Sequence, residues 1–354
     1  MLNMASSSVQ VTATPPRVAG ISMVKDECDI IELFVKINMR CLDHLFIVDH
    51  GSKDATPEIL RRLVASGYAL TVTTYEGLNL RQAEITTGLL NSVAQTDEYD
   101  FIVPIDADEF IYCGDRSLAD VLVAEVPPGG AAQMRWVTYA PIVVCDEPVT
   151  APLFERFRMR AQEPVQFYKV VVSNDLAKRA RLPAGNHGVL VDGLPVPLPT
   201  LTVTLQHAPL RSAEQLAAKA LIGSLRYSIR VGRNPLEGYH WDQMSEFIRD
   251  ADYALGPHDV FRLACRYATD LSAPAPELER VIESAPRIGR FDDVIEYPEL
   301  CRINPVRNFD HFAAALSAEL LEHRTAQSQL EARRHAWPRR FAKWRRKINE
   351  IFSR

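Results

Sequence analysis

Residues 99–111 read YDFIVPIDADEFI and residues 44–60 read HLFIVDHGSKDATPEIL. In each, a run of apolar and β-branched residues stops on an aspartate: Phe101–Ile105 at Asp106, and Leu45–Val48 at Asp49. Short apolar runs bounded by turn residues read as strands buried on both faces. Val18–Val24 (VAGISMV) reads the same way, and Ala69–Thr74 (ALTVTT) reads as a further strand. Helical patterns lie between them. Ile30, Ile31, Phe34, Ile37 and Cys41 recur at helical spacing, Pro57 opens a second helix with Ile59, Leu60, Leu63 and Val64 on its apolar side, and residues 80–95 form a third. Strands alternating with helices predict an α/β fold with a largely parallel sheet covered on both faces. In such sheets ligands sit beyond the carboxyl ends of the strands, where Asp49 and Asp106 both fall.

Further along, residues 131–140, 165–173, 188–192 and 201–206 are short strand candidates that give the sheet antiparallel members, and a helix is expected over about 212–231. Residues 235–305 carry no pattern that places their elements. A helical pattern runs from about 308 to 334, with Phe309, Phe312, Leu316 and Leu320 on one face, a surface for a second copy of the chain. The domain reading is a leader over 1–16, an α/β domain over 17–232, an extension over 233–307 and carboxyl-terminal helices over 308–354.

The 354 residues are 47% apolar and 24% charged, with 39 Gly plus Pro, which excludes wholesale disorder and low-complexity architectures. No run is long enough to cross a membrane as a helix, and residues 1–16 lack the charged and apolar regions of a signal peptide, so they read as a disordered leader. The six cysteines include no C-x-x-C pair, which argues against a zinc knuckle and fits a reducing cytoplasm. Charge is uneven. Residues 333–354 hold seven Arg and two Lys against one Glu, a net +8 that leaves −13 on the remaining 332 residues. An acidic body of this kind excludes nucleic acid as the main partner.

Asp106-x-Asp108 is the sharpest chemical feature. On an extended segment, carboxylates two apart point the same way and repel unless a cation lies between them. Oxygen ligands suit Mg²⁺ or Mn²⁺, which takes its other ligands from substrate phosphates. A solvated acidic turn is the bland alternative. Around Asp49, Gly51 allows a tight turn and Ser52 or Asp54 can cap the helix that Pro57 starts, so a strand–turn–helix joint explains that motif equally well. His207 ends the apolar run LTVTLQ and precedes Arg211 and Lys219, which can neutralise phosphate.

The stretches MVKDECDIIELFV (23–35), HLFIVDHGSKDATPEIL and YDFIVPIDADEFI resemble the nucleotide-sugar domain of family 2 glycosyltransferases. More narrowly, they resemble the bacterial glycosyltransferase family 2-like group, whose members carry a D-A-D-E-F segment. The resemblance covers roughly residues 18–225. It continues through Trp136, Glu155-Arg156-Phe157, Gly185-Asn186-His187, His207-Ala208-Pro209-Leu210-Arg211-Ser212 and Lys219. It implies a GT-A-type Rossmann-like mixed sheet flanked by helices, a divalent metal, and transfer of a sugar from a nucleoside diphosphate to a cell-surface glycan or lipid-linked acceptor, with inversion. It also implies that Met23, Lys25 and Glu27 line the base pocket, with Lys25-Asp26-Glu27 standing where Lys-Asn-Glu is common. Asp49 would contact base or ribose, Gln82 would lie near the donor, and Asp106 near ribose and metal. Asp108 would ligate the metal, with His207 or His187 completing its shell. His187 could instead serve the acceptor, or either histidine could simply tether a loop. Glu155 and Asp192 are the candidates for the base that takes the acceptor's proton.

Two rivals stand beside this reading. A nucleotidyltransferase also uses paired Asp and Mg²⁺, but it calls for a Gly-rich basic loop near the amino end, and residues 18–30 contain only Gly20. A non-catalytic glycan- or partner-binding scaffold would be free to lose Asp106 and Asp108. The tail is a separate expectation. After Pro338, Phe341, Trp344, Ile348 and Ile351 or Phe352 share a helical face with Trp337, while Arg339, Arg340, Lys343, Arg346 and Lys347 occupy the others. Such a helix lies in the headgroup region of anionic membranes, which predicts a cytoplasmic protein peripheral on the membrane's inner face.

Overall fold

The computed structural model describes residues 15–77, 82–141, 159–161, 166–228, 238–252, 255–265, 267, 278–280, 295–304, 308 and 310–318. Residues 1–14 of the expected leader, the Glu155-Arg156-Phe157 motif and the basic tail lie outside the described residues. The chain divides into two compact units, 1–305 and 306–354. In the second, residues 308 and 310–318 are helical, where the sequence predicts a helix.

The first unit opens with β1 (Val18–Val24), α1 (Ile31–Asn38), β2 (His44–Asp49), α2 (Thr56–Ala65), β3 (Leu70–Thr74), α3 (Gln82–Ala94) and β4 (Phe101–Pro104). β1 pairs in parallel with β2 on one side and β4 on the other, and β2 pairs in parallel with β3. The order β3-β2-β1-β4 therefore reverses between β1 and β4, which opens a crevice at their carboxyl ends. β1 is apolar apart from the buried Ser22 because both its faces are covered. At Gly20 an added Cβ would lie 2.6 Å from Leu42 Cδ1 and 2.8 Å from Leu45 Cδ1, so glycine lets the neighbouring apolar side chains close over the strand.

The second half follows as β5 (Glu109–Tyr112), α4 (Leu118–Glu125), β6 (Ala131–Ala140), β7 (Met159–Ala161), β8 (Tyr168–Ser173), the single-turn α5 (Asn174–Ala177), the hairpin β9 (Leu190–Val191) and β10 (Leu194–Pro195), β11 (Thr200–His207), α6 (Ala213–Ser228), α7 (Tyr239–Asp250), α8 (Pro257–Ala264) and β12 (Leu278–Arg280). β8 is antiparallel to β4 and β6, while β11 runs parallel to β6 and antiparallel to β5. The expected α/β class, a mixed sheet between helices, is the architecture found. β5, α4, α7 and α8 are additions to the sequence reading. The last two carry Met244, Ile248, Val260 and Leu263 into a core shared with Leu216 and Ala220 of α6.

β5 is joined to α1 by one side chain. Asn38, fully buried, donates through Nδ2 to Phe34 O and Glu109 O (both 3.0 Å), and its Oδ1 accepts from Ile111 N–H (2.9 Å). Asn38→Ala strands a buried backbone donor and acceptor, so it should lower stability by about 2 kcal/mol in urea unfolding. A variant as stable as the parent would show that water replaces the amide there.

Candidate functional site

Three loops meet at the crevice. After β1 the chain turns through Asp26, at φ 52°. Asp26 N–H donates to Ser52 Oγ (2.8 Å), its Oδ1 accepts from Lys53 N–H (2.7 Å), and Lys25 Nζ donates to His50 O (2.8 Å). The loops after β1 and β2 are thereby zipped together. Asp49, 2% exposed, accepts through Oδ1 from Ser52 N–H (3.0 Å) and Ser52 Oγ–H (2.5 Å), and His50 stacks on Tyr75 at 5.4 Å. This is the strand–turn–helix joint foreseen as one reading of the motif, with Gly51 supplying the positive φ of 65°.

Beyond β4 the structure corrects an expectation. Asp106–Asp108 is not extended. Glu109 N–H donates to Asp106 O (3.0 Å) and Asp106 N–H donates to Glu109 Oε2 (2.9 Å), which closes a turn into β5. The two aspartates diverge as a result. Asp106 Oδ2 accepts from Lys169 Nζ at 2.5 Å. Asp108 faces His207 Nε2 (3.9 Å), Lys219 Nζ (3.7 Å) and Arg211 Nη1 (3.8 Å). Lys169 lies against Asp106, while Lys219 and Arg211 lie nearest Asp108.

Lys169 was not foreseen. It projects from β8 with its side chain fully buried, bonds Asp106 and Gly185 O (2.7 Å), and lies 3.4 Å from Glu109 Oε1. A lysine inside the run YKVVV was the available signal, since a buried ammonium requires a buried partner. Gly185 takes a positive φ of 81°, and a Cβ there would strike the His187 ring at 2.5 Å.

Arg211 is the second unforeseen hub. It was expected to meet phosphate, yet its side chain is 1% exposed. It grips Asp29 through Nε (2.6 Å) and Nη2 (2.8 Å) and Glu27 through Nη2 (2.8 Å). Lys219 bridges from Glu27 Oε1 (2.5 Å) towards Asp108, with 21% of its side chain exposed. Glu27, expected in the base pocket, is thus committed to the two cations.

Five carboxylates (Glu27, Asp29, Asp106, Asp108, Glu109) surround three cations (Lys169, Arg211, Lys219). Burial pushes Glu27 up to about 7 against the pull of Lys219 and Arg211, and Glu109 up to about 8 against Lys169. Burial acts on Asp108 in the same sense, but the Lys219 and Arg211 cations hold it below the usual carboxylate range. His207 is pushed down to about 4 by burial, with Asp108 opposing. His207 is therefore a neutral imidazole, stacked on Trp136 at 4.2 Å, with Nδ1 3.2 Å from Thr138 Oγ1. The register of β11 sets it between Glu109 and Thr138.

The other expected residues divide. Met23 is half-buried near the end of β1, and Gln82 Oε1 accepts from Gly185 N–H at 3.2 Å. His187 Nδ1 lies 2.7 Å from Tyr168 O, and its ring meets Trp136 edge-on at 5.3 Å. Asp192, the described base candidate, forms with Gly193 the exposed two-residue turn between β9 and β10, at φ 52° and 80°. The four expected metal ligands do not converge. Among the described residues no three His, Cys, Asp or Glu side chains form a ready metal cage. Asp108 and His207, an ionised carboxylate beside a neutral imidazole, fit a two-donor site, which suffices for an ion that completes its shell with substrate phosphates and water.

No family model matches the sequence, and no curated protein matches it significantly. The chain is similar to several solved structures. One is a mannosyltransferase from Pyrobaculum calidifontis in complex with GDP-Man and Mn²⁺ (17% identity, 69% of this chain and 76% of that one, TM-score 0.35). A second is S. aureus TarS 1–349 (15%, 70% and 74%, TM-score 0.30). A third is glucosyl-3-phosphoglycerate synthase from Mycobacterium tuberculosis in complex with Mn²⁺, UDP and phosphoglyceric acid (18%, 61% and 80%, TM-score 0.31).

The raised Glu109 fixes a pH dependence. Folded, it keeps its proton to about pH 8, whereas its ordinary value is 4.5, so its contribution to stability is full below 4.5 and is lost as pH rises to 8. Glu109→Gln removes that slope. The melting temperature of the variant, relative to the parent, should climb between pH 5 and pH 8, and a constant offset would show that Glu109 is already ionised.

Proposed function

We propose that the chain is a divalent-metal-dependent glycosyltransferase of GT-A type. It moves a sugar from a nucleoside diphosphate to a hydroxyl of a cell-surface glycan or lipid-linked acceptor, with inversion at the anomeric carbon. The observation that carries the reading is the Asp108–His207 pair. It sits in a cluster two positive charges short when every acid is ionised, at the edge where the parallel strand order reverses. Asp108 and His207 would hold a divalent cation, which would stabilise the leaving diphosphate electrostatically.

The chain's own residues carry the rest. Lys219 has the exposed share of the cluster's cations, and it lies against the diphosphate while Glu27 orients it. Arg211 positions Glu27 and Asp29 rather than touching substrate. Asp106, with 31% of its side chain exposed and Lys169 holding Oδ2, accepts from the ribose hydroxyls. The loops zipped by Asp26 and Lys25 form the floor under the base, with Asp49 beneath it. Glu155 takes the acceptor's proton. Trp136 holds the His207 ring flat, so that Nε2 keeps facing Asp108.

The test uses the purified full chain with UDP-, GDP- and TDP-sugars, with and without Mn²⁺. One donor should raise the melting temperature only when Mn²⁺ is present, because ligands that bind only the folded state stabilise it. Asp108→Asn should abolish that rise and cut turnover by roughly 100-fold or more, with the fold retained because Lys219 and Arg211 keep their closer partners Glu27 and Asp29. Full turnover by Asp108→Asn in Mn²⁺ would refute the assignment.

The tail supports the membrane part of the reading through its sequence pattern. Among the described residues no helix is long and apolar enough to cross a membrane. A basic, aromatic-bearing amphipathic segment over 337–354 would bring the site to a lipid-linked acceptor. In liposome co-sedimentation the full chain should pellet with anionic vesicles at low salt, and a 1–332 truncation should stay in solution. Equal behaviour of the two would remove the tail from the account.

A further inference from the structure

The two ring nitrogens of His207 meet different surroundings. Nε2 lies 3.9 Å from Asp108 Oδ1, beyond hydrogen-bond reach. Nδ1 lies 3.2 Å from Thr138 Oγ1, and among the described residues this is the ring's one hydrogen bond. Both partners are buried, Thr138 at 5% exposure and His207 at 2%. β11 runs parallel to β6 with His207 in register with Thr138, so the strand pairing itself sets the hydroxyl against the imidazole. Trp136, two positions before Thr138 and on the same face of β6, stacks on the ring at 4.2 Å. Tyr267 meets the ring at 5.2 Å in a T-shaped contact. These rings oppose rotation of the imidazole, which keeps Nδ1 on Thr138.

We propose that Thr138 is a positioning residue for cation binding: its hydroxyl accepts the Nδ1 proton and so leaves the Nε2 lone pair to a divalent cation shared with Asp108. The inference rests on the metal reading of the Asp108–His207 pair and deepens it, by naming the group that makes the histidine a ligand. A neutral imidazole has one proton and two nitrogens, and it ligates only through the nitrogen that lacks the proton. When Nε2 ligates, the proton is on Nδ1, inside the sheet, where an N–H without an acceptor is costly. A hydroxyl both donates and accepts, so Thr138 keeps its bond to Nδ1 whichever nitrogen carries the proton. Valine fills nearly the same volume and offers no acceptor. Partners that hold the second nitrogen of a ligating histidine are worth about 10–100-fold in metal affinity.

The test is equilibrium dialysis of the full chain against Mn²⁺ with UDP, GDP or TDP present, beside thermal melting without metal. Thr138→Val should bind Mn²⁺ about 10–100-fold more weakly than the parent. Thr138→Ser keeps the hydroxyl and loses a methyl group, so it should bind Mn²⁺ as the parent does even where it melts lower; a packing role would reverse that order. A second readout needs no turnover. Nitrogen-15 NMR of the histidine-labelled chain with Mg²⁺ and the same nucleotide should place the His207 proton on Nδ1. Parent-like Mn²⁺ binding by Thr138→Val, or a His207 proton on Nε2 in the Mg²⁺-bound chain, would overturn the inference. His207→Ala separates the two levels of the account. If it also binds Mn²⁺ as the parent does, the metal reading fails and Thr138 falls with it. If it loses Mn²⁺ while Thr138→Val does not, the metal reading stands and the role of Thr138 is refuted.

Discussion

Carboxylates that leave water need cations, and this requirement organises the molecule. Glu27 and Asp29 follow β1, and Asp106, Asp108 and Glu109 follow β4, so the first hundred or so residues deliver five acids to one edge. Their partners come from the other half: Lys169 from β8, Arg211 from the segment after β11, and Lys219 from α6. Neither half can bury its own charges. Breaking a buried pair by removing one partner costs about 3–5 kcal/mol, so the antiparallel members of the sheet are held where they are by electrostatics as well as by packing.

The same requirement shapes the site's chemistry. Three cations do not neutralise five acids, and in this structure burial leaves Glu27 and Glu109 reluctant to ionise. His207 is likewise kept neutral by burial, and it presents Nε2 to an Asp108 that stays charged. A site with one ionised oxygen ligand and one neutral nitrogen ligand, beside two acids whose ionisation a bound cation would favour, is matched to a small divalent cation and a diphosphate. The exposure of Lys219 gives the diphosphate a second positive partner.

The parallel half was legible because β2 and β4 are short apolar runs that stop at turn residues, so Asp49 and Asp106 could be set at strand ends from the letters alone. What the letters hid depends on partners far away in sequence. D-A-D-E looked like the end of a strand, but Glu109 folds back on Asp106 N–H and starts β5, so the acids point apart. Arg211 looked like a phosphate ligand until Glu27 and Asp29, over 180 positions upstream, were seen to hold it. Asp192 looked like a spare acid, whereas Asp-Gly between two short strands is turn chemistry and could have been read as such. Residues 295–304 showed no periodic pattern because they are anchored piecemeal, by Glu296 N–H (2.5 Å) and Tyr297 N–H (3.2 Å) to the buried Glu32 of α1 and by Ile295, Tyr297, Leu300 and Ile303 against the core.

The most direct measurement is anomalous diffraction at the manganese edge from crystals of the full chain grown with Mn²⁺ and a nucleoside diphosphate. The account predicts one strong peak at bonding distance from both an Asp108 oxygen and His207 Nε2, in contact with the diphosphate, with Asp106 still on Lys169. A peak between Asp106 and His187, or a bound diphosphate with no metal beside Asp108, would contradict it.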